Sequence, residues 1–87
     1  MEFGWDPAKE EKVRSKRGFG FRTAIRIFTG RTLECEDARQ DYGEKRMVAV
    51  GCFDDRFYTV VYTDRGDLRW IITAWPSNRK ERAGWCE

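Results

Sequence analysis

Glu44, Lys45 and Arg46 stand in a row. This run holds the residue types that can do proton and anion chemistry in the chain. A carboxylate can take a proton, and a guanidinium can hold an anion through two parallel hydrogen bonds. Arg69 is a second such guanidinium, on what reads as the open face of a strand. The sequence has no His, so an imidazole acid–base pair is not available. Arginine is too basic to be an ordinary proton donor. The remaining acids are Tyr58, Tyr62, and a lysine such as Lys16 or Lys45 if its surroundings lower its pKa. Cys35, Cys52 and Cys86 are three in number, with no CxxC spacing. Without His beside them they read neither as a zinc site nor as a disulfide framework. We expect free thiols, no metal and no cofactor.

The elements that must position these groups follow from local signals. Residues 1–5 alternate and read as an edge strand. Asp6-Pro7 is a helix start, because Asp caps well and Pro at the first position loses no needed hydrogen bond. Residues 7–17 have helical composition but a thin apolar stripe of Ala8 and Val13, and Gly18 stops them. Phe21, Ala24, Ile25 and Phe28 recur at helical spacing and form the apolar face of a second helix ending at Gly30. Residues 32–37 read as a short strand and 38–43 as a loop. Three strands then succeed one another at 45–52, 57–63 and 68–75, joined by turns at 53–56 and 64–67. Short turns force antiparallel neighbours. In the last strand Leu68, Trp70, Ile72 and Ala74 are expected to face the helices, and Arg69, Ile71, Thr73 and Trp75 the open side. Ser77 or Asn78 caps a short final helix, with Glu81 placed for a capping box. The order β-α-α-β-β-β-β-α predicts an α+β domain, with two N-terminal helices packed on an antiparallel meander and a short C-terminal helix.

With 87 residues, 15% aromatic and four Trp, the chain is a single domain, spanning residues 1–87, in which each large apolar side chain counts. The net charge is only +2, too balanced to indicate a nucleic-acid partner by itself. Its distribution is polarised: seven basic residues and no acid lie between Lys12 and Arg31, whereas acids dominate from Glu34 to Glu44. By itself this reads first as a solvated helix face, ahead of RNA binding. Met1 is followed by Glu2 and Trp5 rather than by a secretory segment. No apolar run approaches the roughly 20 residues that span a bilayer. We expect a cytoplasmic protein.

Seven short motifs in consistent order carry a resemblance. Phe3-Gly4-Trp5-Asp6-Pro7-Ala8-Lys9 resembles the F-x-W-D-x-x-K opening of the BrnT family of toxins. Lys16-Arg17-Gly18 with Phe21 and Ala24 resembles its K-H-G-x-x-F-x-x-A. Asp37-x-Arg39 and Gly43-Glu44-x-Arg46 resemble its D-x-R and G-E-x-R. Val60-Val61-Tyr62-Thr63-x-Arg65 is similar to V-V-Y-T-x-R, and Arg69-x-Ile71-Ile72-Thr73-Ala74 to R-x-I-S-A. Arg79-x-Glu81-Arg82 resembles the charged C-terminal helix. The resemblance implies a RelE-like ribonuclease fold. It also implies a toxin that inhibits translation and is neutralised by a BrnA-like antitoxin carrying the DNA-binding domain, so that DNA is bound only through the antitoxin. The chain departs from the family pattern at Val13 (Asn in relatives), Arg17 (His), Trp75 (Arg) and Trp85 (Tyr).

Metal-independent RNA cleavage needs a base for the 2′-OH, charge for the phosphorane and an acid for the 5′-oxygen. On this reading Glu44 is the base, and Arg46 and Arg69 hold the scissile phosphate. Lys16, Arg17, Lys45 and Arg65 contact the RNA, and Trp75 stacks on a base. Each has a plain structural alternative. Glu44 and Arg46 lie two apart on one face, as a surface ion pair does. Arg69 can pair across strands with an acid. Lys16 and Arg17 suit a helix C-terminus, and Trp75 can cover a core edge. The antitoxin is expected on an exposed sheet edge and on helix 7–17, at Lys9, Lys12 and Lys16. The competing function is a catalytically weak homologue whose work is antitoxin binding in operon autoregulation. A direct DNA-binding module lacks a recognition-helix motif.

Overall fold

The computed structural model describes residues 1–37 and 43–86. The chain runs β1 (Glu2–Trp5), α1 (Pro7–Arg17), α2 (Phe21–Ala24), a 3-10 turn (Ile25–Thr29), β2 (Thr32–Glu36), β3 (Met47–Phe53), β4 (Arg56–Arg65), β5 (Leu68–Pro76) and α3 (Arg79–Cys86). The five strands form one sheet in the order β1-β5-β4-β3-β2. The domain is α+β, as expected, but three features differ from the expected arrangement. The strands of the meander are longer than their apolar runs. The sheet is mixed, because β1 lies parallel to β5. And the N-terminal helical segments are not two regular helices.

Helix α1 has the expected ends. The Asp6 carboxylate accepts the Ala8 N–H at 2.9 Å. Pro7 opens the helix, and Gly18 leaves it in the left-handed region at φ 80°, where a glycine has no Cβ to clash. The next segment makes one α turn and then tightens into the 3-10 form. Its fully buried residues are Phe21, Ala24 and Ile27. They are spaced by three, the repeat of a 3-10 helix, so Ile27 rather than Ile25 meets the sheet. The β-branched Ile25 and Ile27 weaken α preference here. Ile27 sits on Gly51 so closely that a Cβ there would lie 2.7 Å from the Ile27 Cβ.

These segments cover one sheet face and bury Ala49, Tyr58, Val60, Tyr62, Ile71 and Ala74. α3 covers part of the other face. There Trp85 packs edge-on against Phe57 at 5.1 Å, and its indole N–H donates to the Arg31 carbonyl at 3.0 Å. The expected capping box forms: Asn78 Oδ1 accepts the Glu81 N–H and Glu81 Oε1 accepts the Asn78 N–H, both at 2.8 Å.

The facing of β5 is the reverse of expectation over its first half. Val61 pairs with Thr73 while Tyr62 pairs with Ile71, so Ile72 is an extra residue, a bulge. A bulge shifts the two-residue alternation by one. Before it, Arg69 and Ile71 face α2 and the 3-10 turn, whereas Leu68 and Trp70 lie on the opposite face beside Gly4. Beyond it, Ala74 faces the helices, as expected.

Candidate functional site

β4 and β5 leave the turn at Asp67 as a hairpin whose register sets Asp64 opposite Arg69. The pair is bidentate. Arg69 Nε donates to Asp64 Oδ1 at 2.8 Å and Nη2 to Oδ2 at 3.0 Å. The same guanidinium lies 4.0 Å from the centroid of the Tyr62 ring and 4.9 Å from that of Phe28. Two rings and a carboxylate thus fix a cation that is only 14% exposed. The bonds to Asp64 raise the Arg69 pKa and burial opposes them. These bonds use Nε and Nη2; Nη1 carries two further N–H donors.

Tyr62 connects this pair to β2. Its hydroxyl donates to Glu34 Oε1, and Glu34 Oε2 accepts the Thr32 hydroxyl at 2.6 Å. Burial first, and then the hydrogen bond to Glu34, push the Tyr62 pKa well above the ordinary phenol value. The phenol therefore stays protonated at neutral pH. Lys45, Met47, Tyr62 and Asp64 line a cleft of about 280 Å³ at this end of the sheet. The arrangement is an alternating chain of charges, Glu34, Arg69 and Asp64, threaded past one buried phenol. It can hold an anion near Lys45 at the cleft, with the fixed positive charge of Arg69 behind Asp64 and Tyr62.

The three residues expected to act together are divided. Glu44 Oε2 lies 3.5 Å from Arg65 Nη2, and the Arg65 guanidinium stacks 5.1 Å from the Trp70 ring. Arg65 alternates with Asp64 along β4, so this pair belongs to the face opposite Arg69. Glu44 and Arg46 are not a pair on one strand, since β3 begins at Met47. Arg46 is half-buried, and its carbonyl accepts the Asp37 N–H at 2.8 Å. Arg39 lies outside the described residues. Lys9, Lys12, Lys16 and Arg17 line one groove of about 700 Å³ along α1, with Val13 and Thr73. Trp75 gives its indole N–H to the Glu81 carboxylate at 3.2 Å, which ties it to the α3 cap.

The family model for the ribonuclease toxin BrnT of type II toxin–antitoxin systems matches residues 5–81. The chain belongs to the BrnT family. No curated protein matches it. Membership makes this BrnT chain a member of a ribonuclease toxin family and implies an antitoxin partner. Among its described residues no helix is long and apolar enough to cross a membrane.

Of the positions that the sequence reading set apart from the family pattern, Val13, Trp75 and Trp85 have packing or hydrogen-bond partners, and Arg17 has none among the described residues. Val13 is buried under α1 in the main core. Arg17 is exposed at the C-terminal end of α1. Trp85 packs on Phe57 and lies beneath the Arg31 guanidinium at 4.2 Å. Sequence reasoning missed Glu34 and Asp64. Asp64 was findable: Asp64 and Arg69 flank a tight hairpin, which places them opposite each other. Glu34 was not, because its meeting with Tyr62 needs the register of three strands, β2 on β3 and β3 on β4.

Proposed function

We propose that this BrnT-family toxin is a metal-independent endoribonuclease that cuts messenger RNA, inhibits translation in the cytoplasm and is neutralised by a BrnA-like antitoxin. The observation that carries this reading is the fixed Arg69 guanidinium, stacked on Tyr62 and bonded to Asp64, with Tyr62, which bonds Glu34, and Asp64 lining a cleft beside Lys45. Charge held in place before the reaction stabilises the phosphorane more than any other single device such a site can offer.

In the proposed step, Glu34 takes the 2′-OH proton and the 2′-oxygen attacks phosphorus. Arg69 Nη1 and Lys45 balance the charge of the phosphorane. The P–O5′ bond breaks, and Lys45 gives the 5′-oxygen its proton. The products are a 2′,3′-cyclic phosphate and a 5′-hydroxyl. Asp64 and Tyr62 are positioning residues for Arg69 and Glu34. Glu44, the carboxylate first expected as base, is better suited to hold Arg65 over Trp70. Arg46 and Arg65 are then contacts to flanking RNA, not to the scissile phosphate. Lys16 and Arg17 contact the RNA farther along, and Trp75 supports α3 rather than a base.

The test is cleavage of end-labelled single-stranded RNA in EDTA by wild type, Glu34→Gln, Arg69→Gln and Glu44→Gln. Glu34→Gln should lose roughly 10²–10⁴-fold in rate, the usual worth of a general base, and Glu44→Gln should stay within a few-fold of wild type. Equal loss in both carboxylate variants, or loss in Glu44→Gln alone, would return the base to Glu44. A specific observation favours a second reading. Asp64 already neutralises Arg69, and Thr32 and Tyr62 occupy both oxygens of Glu34. A purely structural network has that form, and the chain would then act mainly by binding its antitoxin. Absence of cutting by folded wild type, free or ribosome-bound message alike, would establish that reading.

The antitoxin seat we propose is the α1 groove with its Lys9, Lys12 and Lys16, together with an exposed edge of the sheet. A groove with four cations and one carboxylate, Glu11, suits an acidic antitoxin segment. DNA is reached only through that partner.

A further inference from the structure

At the end of the sheet remote from Arg69, three arginines from three elements converge. Arg17 is the last residue of α1, Arg56 the first of β4, and Arg82 lies in the opening turns of α3. With Phe19, Phe57 and Tyr58 they line a cleft of about 330 Å³. The β3–β4 turn sets Arg56 there: Asp54 and Asp55 both take positive φ, 54° and 62°, the geometry of a two-residue hairpin turn. Gly18 sends the chain back so that Phe19 packs edge-on against Tyr58 at 4.8 Å. The Arg82 guanidinium stands 6.0 Å from the Phe57 ring.

Arg14, Arg65 and Arg69 each have a carboxylate within 4.0 Å, at Glu11, Glu44 and Asp64. Arg17, Arg56 and Arg82 have none, as is also true of Arg22, Arg26, Arg31 and Arg79 among the described residues; what sets the three apart is that they line one cleft. The cleft's single carboxylate, Asp55, leaves two positive charges in excess. Gathering three guanidiniums without counter-ions costs energy that a bound polyanion returns. Arg17 also lines the α1 groove with Lys12 and Lys16, so the positive track extends beyond one phosphate. Flexible cations interleaved with aromatic rings are the pattern that holds single strands through backbone and base faces together.

We propose that the Arg17–Arg56–Arg82 cleft is an anchoring subsite for the phosphodiester backbone of single-stranded RNA, separate from the point of cleavage. The inference rests on the ribonuclease reading for its ligand. Tyr58 and Tyr62 lie four residues apart on one strand, so the anchor sits roughly 13 Å from the Arg69 cluster. The strand between them is buried under the helical layer, so an RNA held at the anchor reaches the cluster around that layer, and the anchor acts on RNA binding rather than on bond breaking.

The experiment measures binding of a short 2′-O-methylated oligoribonucleotide, which lacks the nucleophile and cannot be cut, as a function of salt. The chains are wild type, the triple variant Arg17→Gln/Arg56→Gln/Arg82→Gln, and a charge-matched control, Arg14→Gln/Arg22→Gln/Arg26→Gln. All six positions are exposed, so folding should survive, and circular dichroism checks it. Losing three phosphate contacts should flatten the slope of log K against log salt by about 2, and weaken binding about a hundredfold at 0.1 M salt. The control should keep a slope near that of wild type. Equal losses in both triple variants would overturn the proposal in favour of general surface charge. Unchanged RNA binding, with or without weakened antitoxin affinity, would overturn it too; the weakened affinity would assign the cleft to the partner protein. Cleavage of unmodified RNA is read in parallel. Binding that fails in the triple variant beside a wild type that never cuts would keep the anchor and remove the proposed chemistry. Cutting by wild type with an unaffected slope would do the reverse.

Discussion

Replacing Gly51 with Ala tests how the helical layer is seated and, through it, how Arg69 is held. A Cβ at Gly51 would stand 2.7 Å from the Ile27 Cβ and 3.1 Å from Thr32 Cγ2. Ordinary contact begins at 3.4 Å, so Ile27 must retreat by 0.7 Å, the difference between 3.4 and 2.7. The Ile27 Cβ is bonded to its own backbone and cannot swing away as a side-chain tip can. The 3-10 turn must lift as a unit. Overpacking of this kind costs about 1–3 kcal/mol. For a domain of this size each kcal/mol lowers the melting temperature by about 4–8 °C, so a mid-range cost of about 2 kcal/mol predicts a fall of about 8–16 °C. The same turn carries Phe28, whose ring lies 5.5 Å from that of Tyr62 and 4.9 Å from the Arg69 guanidinium. Lifting it should therefore slow RNA cleavage at temperatures where the variant is still folded. The control is Gly30→Ala, at a glycine with nothing within 4 Å of its would-be Cβ and an extended backbone, which should stay within about 0.5 kcal/mol of wild type. Thermal unfolding followed by circular dichroism reads both. A Gly51→Ala melting temperature equal to that of Gly30→Ala would refute the close docking of Ile27 on β3.

Tyr62→Phe should change the alkaline limb of stability. The folded pKa of Tyr62 is raised above its ordinary 10.0, first by burial and then by the bond to Glu34. The neutral phenol is the folded form, so its contribution is complete below pH 10.0 and falls as pH rises above that value. Urea unfolding at increasing pH should show wild type losing up to about 1.4 kcal/mol per pH unit more than Tyr62→Phe; parallel curves would contradict it. Asn78→Ala removes one half of the α3 capping box and should cost about 1 kcal/mol, visible as a melting point lower by about 4–8 °C with RNA cleavage unchanged below it. Lys9→Ala/Lys12→Ala/Lys16→Ala should weaken antitoxin affinity measured by titration calorimetry at moderate salt, and an unchanged constant would remove α1 from that interface.

The boundaries of α1 and α3 were legible because they are local. Asp6, Pro7 and Gly18 set one helix, and Asn78 with Glu81 starts the other, through bonds spanning two to four residues. The hairpins β3–β4 and β4–β5 were legible for the same reason, since a short turn leaves a chain only one way to pair. Arg69 was singled out by its residue type and by the open face that alternation assigned it, and its surroundings were not foreseen. Alternation assigned it to the open face, and the bulge at Ile72 moved it beneath the helical layer, against Phe28 and Tyr62. No local signal marks that extra residue.

Tertiary packing also chose the neighbours that no short loop dictates. β1 and β5 lie at opposite ends of the sequence, so nothing in either strand sets their direction; the sheet places them parallel. The apolar residues at 21–28 allow either an α-helix burying Ile25 or a tighter turn burying Ile27, and the space above Gly51 selects the second. Glu34 meets Tyr62 only after β2, β3 and β4 have paired in register. What this sequence determines by itself is what neighbouring residues can enforce: caps, turns, the order of elements and a polarised charge. The partners of its most constrained cation, Arg69, were decided by strand parity and long-range pairing, which depend on contacts between residues far apart in the chain.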